Sequence, residues 1–302
     1  MKPACIKFPI GIEIAGIHFS VLCPDASIIQ DSDPAYWSFQ KVERDPPAPH
    51  VDIHLVIGFM PDIEGMKKLF DSGESWFICE DGNHFFLSLS HPASREKPVW
   101  VARFDRKIKE VTVYCSEGLV KKREKGLGVI NPFHYPLDQL LLMYILARKG
   151  GSILHAAGMV INKKGYLFLG RSGAGKSTLV RLCGSQDDFS FLSDDRIVVR
   201  KFSDGYKAYG TPWPGEAGIA ANREFPLSGL FFISHGSKNR IEEVCRKDAL
   251  ERILPVTSIP LYDSKATEEI LSFCDRLVSH IPAYHLHFRP DAEVAKVLRN
   301  LG

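Results

Sequence analysis

Residues 1–118 contain short runs in which apolar and polar positions alternate, separated by Asp-Pro, Asp-Gly and Ser-Gly pairs. This period of two predicts β-strands, and the short separations favour an antiparallel meander. The sequence E-D-G-N at residues 80–83 is typical of a hairpin turn between two strands. Residues 31–49 are rich in Asp and Pro, so we expect an exposed loop there. The pattern predicts a small β-rich N-terminal domain.

The pattern changes after residue 130. Leucines recur at helical spacing in residues 136–148, with Pro136 at the start and Gly150 and Gly151 at the end, which predicts a helix. The rest of the chain contains both the alternating pattern of strands and the spacing of helices. We predict strands at 152–161, 166–169, 189–192, 196–200, 206–209, 229–234 and 284–288, and helices at 176–183, 247–254, 267–280 and 291–301.

Residues 121–128, K-K-R-E-K-G-L-G, are charged and interrupted by glycine, which is typical of a solvated linker. We place the domain boundary there. The prediction is a β-rich partner- or substrate-recognition domain over residues 1–125 and an α/β domain over residues 126–302, so that the whole chain is α+β.

One stretch carries a specific chemical signal. Residues 170–177 match G-x-x-x-x-G-K-S/T, and an apolar strand precedes them and a helix follows. Glycines in such a loop let backbone N–H groups turn towards a phosphate at the positive end of the helix. Lysine reaches the outer phosphates and the serine hydroxyl binds Mg²⁺. The predicted nucleotide-binding residues are Gly170, Arg171, Ser172, Gly173, Ala174, Gly175, Lys176, Ser177 and Thr178.

Two carboxylates follow the next predicted strand. Asp194 and Asp195 come directly after F-S-F-L, only 18 and 19 residues beyond Lys176 (194 − 176 and 195 − 176). Neighbouring residues on a strand face opposite ways, so we expect different roles for the two. His155 lies on the strand before the loop, and we predict that its imidazole approaches Asp194. A transferase needs a base for the incoming hydroxyl and an acid for its metal.

Composition limits the binding partners and the cellular compartment that we expect. The chain has 38 Lys and Arg against 36 Asp and Glu, so no global basic field points to nucleic acid or an anionic membrane. Its seven cysteines are scattered without a C-x-x-C pair, which favours a reducing compartment. The N-terminus lacks the apolar run of a signal peptide, and no run approaches the ~20 residues of a membrane span. We expect a cytoplasmic protein.

The order L-H-A-A-G, G-R-S-G-A-G-K-S-T-L and L-S-D-D-R resembles the catalytic domain of HPr kinase/phosphorylase and, more closely, the related serine kinases. The resemblance covers residues 151–255. It implies the nucleotide-binding core shared with phosphoenolpyruvate carboxykinase, with a mixed β-sheet. It also implies that ATP and Mg²⁺ bind at the loop. The segment G-T-P-W-P-G-E stands where HPr kinases have their signature, so the resemblance supports neither HPr as substrate nor phosphorylase activity.

Residue roles follow from the resemblance. Asp194 is expected to be the base and Asp195, with Ser177, to bind the metal, although the reverse assignment of the two acids stays open. A downstream basic residue should steady the transferred phosphate, and Arg223 and Arg240 are the candidates. Trp213 either caps the site or is buried in a structural loop, and Glu216 is a further candidate acid near the site.

We therefore expect an ATP- and Mg²⁺-dependent kinase that uses Lys176, Asp194 and His155 to phosphorylate a serine hydroxyl of a protein or peptide. Two alternatives stay open: a kinase for a small molecule such as free serine or a sugar, and a non-catalytic module whose partner binding is gated by nucleotide. A homo-oligomer is compatible with the resemblance, but no motif assigns an interface.

Overall fold

The structure is a computed structural model that describes residues 5–6, 9–29, 33–41, 50–91, 94–124, 126–184 and 188–301. Contacts within the described chain define two compact units. The first unit contains residues up to Pro34 together with Gln40–Ile145, and the second contains Ala35–Phe39 and the chain from Leu146 onward. The predicted boundary at residue 125 and the recognition role of the N-terminal domain stay predictions.

The elements of the first unit are almost all strands. Two short 3-10 helices, Pro34–Phe39 and Glu117–Leu119, also occur before residue 120. In chain order the strands and helix are β1 (Cys5–Ile6), β2 (Ile10–Ile14), β3 (Ile17–Leu22), β4 (Ser27–Ile29), β5 (Gln40–Lys41), β6 (His50–Ile57), β7 (Lys67–Asp71), β8 (Trp76–Asp81), β9 (His84–His91), β10 (Ser94–Asp105), β11 (Glu110–Cys115), β12 (Val120–Arg123), β13 (Gly126–Ile130) and α1 (Leu137–Lys149), which continues into the second unit.

The main sheet of the first unit has nine strands in the order β5-β2-β3-β6-β11-β10-β9-β8-β7. Strands β7 to β11 form the predicted antiparallel meander, and the predicted turn joins β8 to β9 with Gly82 at φ +58°. However, β6 is parallel to both β3 and β11. The meander prediction is therefore wrong for this part, because an alternating pattern has the same period in parallel and antiparallel pairs.

Two loop predictions also need correction. The expected linker at 121–128 belongs to an antiparallel hairpin of β12 and β13, in which Lys121 and Lys122 are exposed while Val129 is buried. Within residues 31–49, Pro34–Phe39 is a 3-10 helix because Tyr36 and Phe39 bury their rings. Residues 31–32 and 42–49 lie outside the described residues.

Helix α1 confirms the helix predicted from leucine periodicity. In the first unit its Tyr144 packs against Phe85 and Phe104, with ring centroids 5.5 and 6.2 Å away. All three rings are buried, and burying each contributes about 2 kcal/mol. Gly150, at φ +68°, follows the end of the helix in the left-handed conformation that glycine adopts readily.

The second unit follows the predicted element order closely, with β20 as the one strand that the sequence pattern did not predict. Its elements are β14 (Gly151–Ile161), β15 (Lys164–Leu169), α2 (Lys176–Gly184), β16 (Phe189–Phe191), β17 (Arg196–Phe202), β18 (Gly205–Tyr209), β19 (Glu224–His235), β20 (Arg240–Glu243), α3 (Arg246–Ile253), α4 (Ser264–His280), β21 (Ala283–Phe288) and α5 (Glu293–Arg299).

The sheet of the second unit is mixed, as the resemblance implied. Strands β15, β14, β17, β18 and β19 pair antiparallel in that order, and β15 also pairs parallel with β19. Strand β21 continues the sheet parallel to β19. Helices α2 and α5 contribute Leu179 and Leu298 to a buried cluster with Phe168, Phe231 and Phe288. The fold is therefore α+β with mixed sheets, mostly strand.

Candidate functional site

The glycine-rich loop, residues 170–175, connects the carboxyl end of β15 to the first residue of α2. Gly173 and Gly175 have φ of +80° and +99°, which side chains rarely allow. Space is also limiting, because a Cβ on Gly175 would lie 2.7 Å from the Phe288 ring and 2.9 Å from the His235 ring. The strand, tight loop and helix occur where the motif predicted them.

Lys176 folds back over this loop. Its Nζ donates hydrogen bonds to the carbonyl oxygens of Gly170, at 2.8 Å, and Arg171, at 3.3 Å. The residue is 6% exposed, and burial lowers the pKa of its ammonium group, while the nearby Asp195 carboxylate opposes that shift. A buried ammonium group whose hydrogen bonds, within the described residues, go to neutral carbonyl oxygens is a ready partner for an anion in the loop.

The remaining loop residues differ in accessibility. Arg171, Ser172 and Gly173 are exposed, whereas Ala174, Ser177 and Thr178 are half-buried. The two hydroxyl side chains lie in the first turn of α2, where helix N–H groups have no intrahelical acceptor.

Strand β14 positions the acidic pair. Its residues pair with β16 at one end and β17 at the other, and the chain between those strands stays bonded to β14. There the N–H groups of Ala156 and Gly158 donate to the carbonyls of Asp195, at 3.0 Å, and Ser193, at 2.8 Å. Strands β16 and β17 thus run along the same side of β14, joined by an irregular segment at Ser193–Asp195. Such irregular segments redirect side chains.

Asp194 is buried at one side of this irregularity. It is 1% exposed, and its Oδ1 accepts the N–H groups of Gly215, at 2.8 Å, and Ile219, at 3.1 Å. Its Oδ2 accepts the N–H of Ala217 at 2.7 Å. We call these contacts the loop anchor, because one carboxylate satisfies three amides of the segment 215–219.

Asp195 turns the other way and meets His155. The His155 Nε2 lies 2.7 Å from Asp195 Oδ1, and the side chains are 22% and 31% exposed. We call this pair the dyad. The expected approach of His155 to Asp194 is therefore wrong, because the irregular segment turns Asp194 into the protein and leaves Asp195 beside β14.

Electrostatics favour the ionised form of Asp195. Burial would raise the pKa of its carboxyl group, but the hydrogen bond from His155 and the charges of Arg196 and Lys176 together lower it below its usual value. Asp195 is therefore a carboxylate at neutral pH, half-accessible and within electrostatic reach of the lysine of the loop.

Arg196 is a member of the site that the sequence analysis did not select. Its Nη1 lies 3.5 Å from Asp195 Oδ2 and, among the described residues, this buried nitrogen has no hydrogen-bond partner. Arg196 directly follows the acidic pair in the sequence L-S-D-D-R, and this adjacency was the signal that could have identified it.

The other predicted residues do not join the dyad. Arg240 pairs with Glu242 at 2.7 Å, and Arg223 stacks over the Phe225 ring; within the described residues, neither side chain has a hydrogen bond or ion pair with the glycine-rich loop or Asp195. Trp213 is 8% exposed, so the buried alternative is correct. The carboxylate of Glu216 is 82% exposed and lies 3.8 Å from Arg181.

The donors for a metal are limited. In the part of the chain that the structure describes, no group of three His, Cys, Asp or Glu side chains could hold a metal ion. Because Asp194 is occupied by amides, Ser177 and Asp195 are the hydroxyl and the carboxylate that remain of the predicted metal-binding and acidic residues. Such a set suits Mg²⁺ in nucleotide enzymes, where one or two protein oxygens, substrate phosphates and water complete the shell.

Comparisons with known proteins give little further guidance. No family model and no curated protein matches the chain. Among solved structures, the HPr(Ser) kinase/phosphatase from Coxiella burnetii is similar at 14% identity and a TM-score of 0.27, over 49% of this chain and 87% of that chain. A likeness this weak carries no argument about activity. In the described chain, no helix has the length and apolarity needed to cross a membrane.

Proposed function

We propose that this protein is an ATP- and Mg²⁺-dependent kinase that transfers the γ-phosphate to a serine hydroxyl of a protein or peptide. One observation carries the proposal: the hydrogen-bonded pair of His155 and Asp195 lies within electrostatic reach of Lys176, the lysine of the glycine-rich loop. A loop that only binds nucleotide has no use for a carboxylate oriented by histidine beside it.

The loop and its cations would hold the phosphates. The backbone N–H groups of residues 171–173 and 175 and the N-terminus of α2 offer donors, whereas those of Gly170 and Ala174 already bond to backbone carbonyls. Lys176 would exchange its two carbonyl partners for phosphate oxygens. Arg196, whose buried Nη1 has an ion pair with Asp195 but no hydrogen bond within the described chain, suits the transferred group better than Arg223 or Arg240. Phosphoryl transfer needs mainly positioning and charge stabilisation, which these groups supply.

Asp195 is the base in this proposal. Its Oδ1 is held by His155, and its Oδ2, whose neighbour Arg196 Nη1 is 3.5 Å away, would accept the proton of an acceptor hydroxyl. A carboxylate with a lowered pKa is a weak base, but the transition state is loose, so orientation of the hydroxyl matters more than early proton removal. His155 is a positioning residue. Asp194 shapes the site through the loop anchor rather than touching the acceptor.

Mg²⁺ would be held by Ser177 and the phosphates of the nucleotide, and when bound it neutralises negative charge on them. Asp195 can no longer be assigned to the metal alone, because the dyad makes it the one accessible carboxylate of the acidic pair. Both assignments, base and metal ligand, predict loss of activity when Asp195 is replaced, but only the second predicts weaker Mg²⁺ binding.

The test is phosphoryl transfer from γ-labelled ATP to candidate serine peptides and to free serine, followed by mass spectrometry for the addition of one phosphate. We expect transfer to a peptide by the wild type and none by Lys176→Ala. The matched control is Lys164→Ala, an exposed lysine at the start of β15, which should behave as wild type.

Other outcomes select the alternatives. Transfer to free serine or a sugar but not to peptides would replace our proposal by a small-molecule kinase. ATP binding that Lys176→Ala abolishes, with no turnover on any acceptor, would replace it by a nucleotide-gated binding module.

A further inference from the structure

A second polar site lies within the first unit, on its nine-stranded sheet. A cavity of about 390 Å³ opens on the half-exposed face where β9, β10 and β11 are neighbours, a size typical of small-ligand pockets. Strand alternation creates it, because Phe104 and Val111 point into the core while Arg103 and Thr112, which are Cα partners, face outward. The polar residues that line it are His84, Arg103, Asp105, Lys109, Glu110 and Thr112.

Arg103 is held in place without being neutralised. Its Nη2 lies 3.0 Å from His84 Nε2. Arginine keeps its proton in proteins, so the histidine nitrogen must be the acceptor in this bond. A neutral acceptor orients the guanidinium group but leaves its charge uncompensated, and among the described residues no carboxylate lies within ion-pair distance of it.

The two acids of the cavity wall have contacts within their own unit, and neither forms an ion pair with a cation of the cavity in the described chain. Asp105 Oδ1 accepts the N–H groups of Lys107 and Ile108, both at 2.8 Å, and so fixes a turn. Glu110 Oε1 lies 3.4 Å from His54 Nε2. Arg103 and Lys109 are thus the cavity's cations without a carboxylate partner in the described chain, which makes an anion the expected ligand.

The wall also distinguishes between anions. A planar guanidinium group binds a carboxylate through two parallel hydrogen bonds. A doubly charged phosphate would gain more from the cations but would also face two carboxylates, Asp105 and Glu110, whereas a singly charged carboxylate meets less repulsion. We propose that this cavity binds the carboxylate of an acidic residue in a peptide partner, with Arg103 as the principal contact and Thr112 and Lys109 beside it.

The experiment follows the Nε–Hε resonance of Arg103 in ¹⁵N-labelled full-length protein, assigned by its absence in Arg103→Lys. The probe is the capped tripeptide Gly-Glu-Gly, and the comparison peptides are Gly-Gln-Gly and Gly-phosphoserine-Gly. We expect a saturable shift with the Glu peptide, none with the Gln peptide, and weaker binding of the phosphoserine peptide. Arg103→Gln should weaken binding of the Glu peptide about tenfold or more, measured on the Thr112 and Lys109 amide resonances.

Lys97→Gln is the matched control, since it removes one positive charge from an exposed position on the same strand. It should leave binding unchanged. The proposal is overturned if the Arg103 resonance does not move with the Glu peptide, if the Gln peptide moves it equally, or if Lys97→Gln weakens binding as much as Arg103→Gln. Tighter binding of the phosphoserine peptide would overturn the choice of carboxylate. None of these outcomes depends on kinase activity.

Discussion

The loop anchor and the dyad are built from adjacent carboxylates, yet their surroundings differ completely. Asp194 is 1% exposed and accepts three backbone N–H groups from residues 215–219. Asp195 has a side chain that is 31% exposed, and it bonds to an imidazole beside a lysine and an arginine. The first carboxylate is committed to holding a segment of chain, whereas Oδ2 of the second has only a 3.5 Å ion pair with Arg196 among the described residues. Accessibility and bonding partners, rather than residue type, separate a structural acid from a candidate base.

A third cluster shows that a histidine and a carboxylate alone do not define a site. The hydroxyl of Ser234 lies 2.9 Å from His285 Nε2 and 3.1 Å from His287 Nδ1, and His287 Nε2 lies 3.2 Å from Glu242. Ser234 faces the opposite side of β19 from His235, which packs against the glycine-rich loop. The dyad differs because it lies beside the glycine-rich loop, whose Gly170 N–H donates to the His155 carbonyl at 3.5 Å.

The largest effect should come from the accessible acid. Asp195→Asn keeps the shape of the side chain but removes the base, so we expect phosphoryl transfer to fall about 10²–10⁴-fold while ATP still binds. Steady-state kinetics measure the rate of phosphoryl transfer, and an ATP titration measures nucleotide binding. Asp204→Asn, the same change in an exposed turn, is the control and should behave as wild type. Wild-type transfer by Asp195→Asn would remove the base assignment.

The buried acid should affect folding instead. Asp194→Ala leaves three amides of the loop anchor without an acceptor, so we expect the free energy of unfolding to fall by about 3 kcal/mol. Urea unfolding measures this loss. Asp204→Ala should change it by no more than about 0.5 kcal/mol. An unchanged unfolding midpoint for Asp194→Ala would show that the anchor contributes nothing to stability.

His155 should change the pH dependence more than the maximal rate. Its hydrogen bond helps to hold the pKa of Asp195 below the usual value, and activity is lost on acidification as that carboxylate takes up a proton. His155→Phe removes the bond, so the acid limb of the pH profile should move to higher pH and kcat should fall about tenfold.

His155→Gln supplies the control for that prediction, because it retains an N–H donor and should restore part of the profile. The lowered pKa of Asp195 also stabilises the folded state. This stabilisation is fully present at a pH above the pKa of the carboxyl group in the unfolded chain, and it is lost as the pH falls through the lower pKa of the folded protein. An acid limb that stays in place in His155→Phe would show that the dyad does not tune Asp195.

The smallest effect is expected at Arg240. It is exposed and paired with Glu242, so Arg240→Gln should leave kcat/KM within about twofold of wild type. The same substitution at Arg196 should lower kcat/KM about a hundredfold, because it removes a charge beside the transferred phosphate. Equal losses in both variants would contradict our choice of Arg196.

Local patterns predicted much of the second unit. The glycine-rich loop, helix α2 and most strands occur where the period and turn residues placed them, because these features depend on neighbours in the chain. The parallel pairing of β6 with β3 and β11 and the hairpin of β12 and β13 were not predicted. The partners of β6 are distant in the chain and leave no signal in an alternating pattern, whereas β12 and β13 are neighbours whose charged, glycine-containing sequence was interpreted as a linker.

By itself, the sequence determined the glycine-rich loop between a strand and a helix, the lysine and serine that follow it, and the presence of two acids and a histidine nearby. Only the tertiary structure decided which acid meets His155 and that Arg196 joins the site. The physical reason is the irregular segment at Ser193–Asp195, whose hydrogen bonds to β14 and to residues 215–219 turn adjacent side chains into unlike environments.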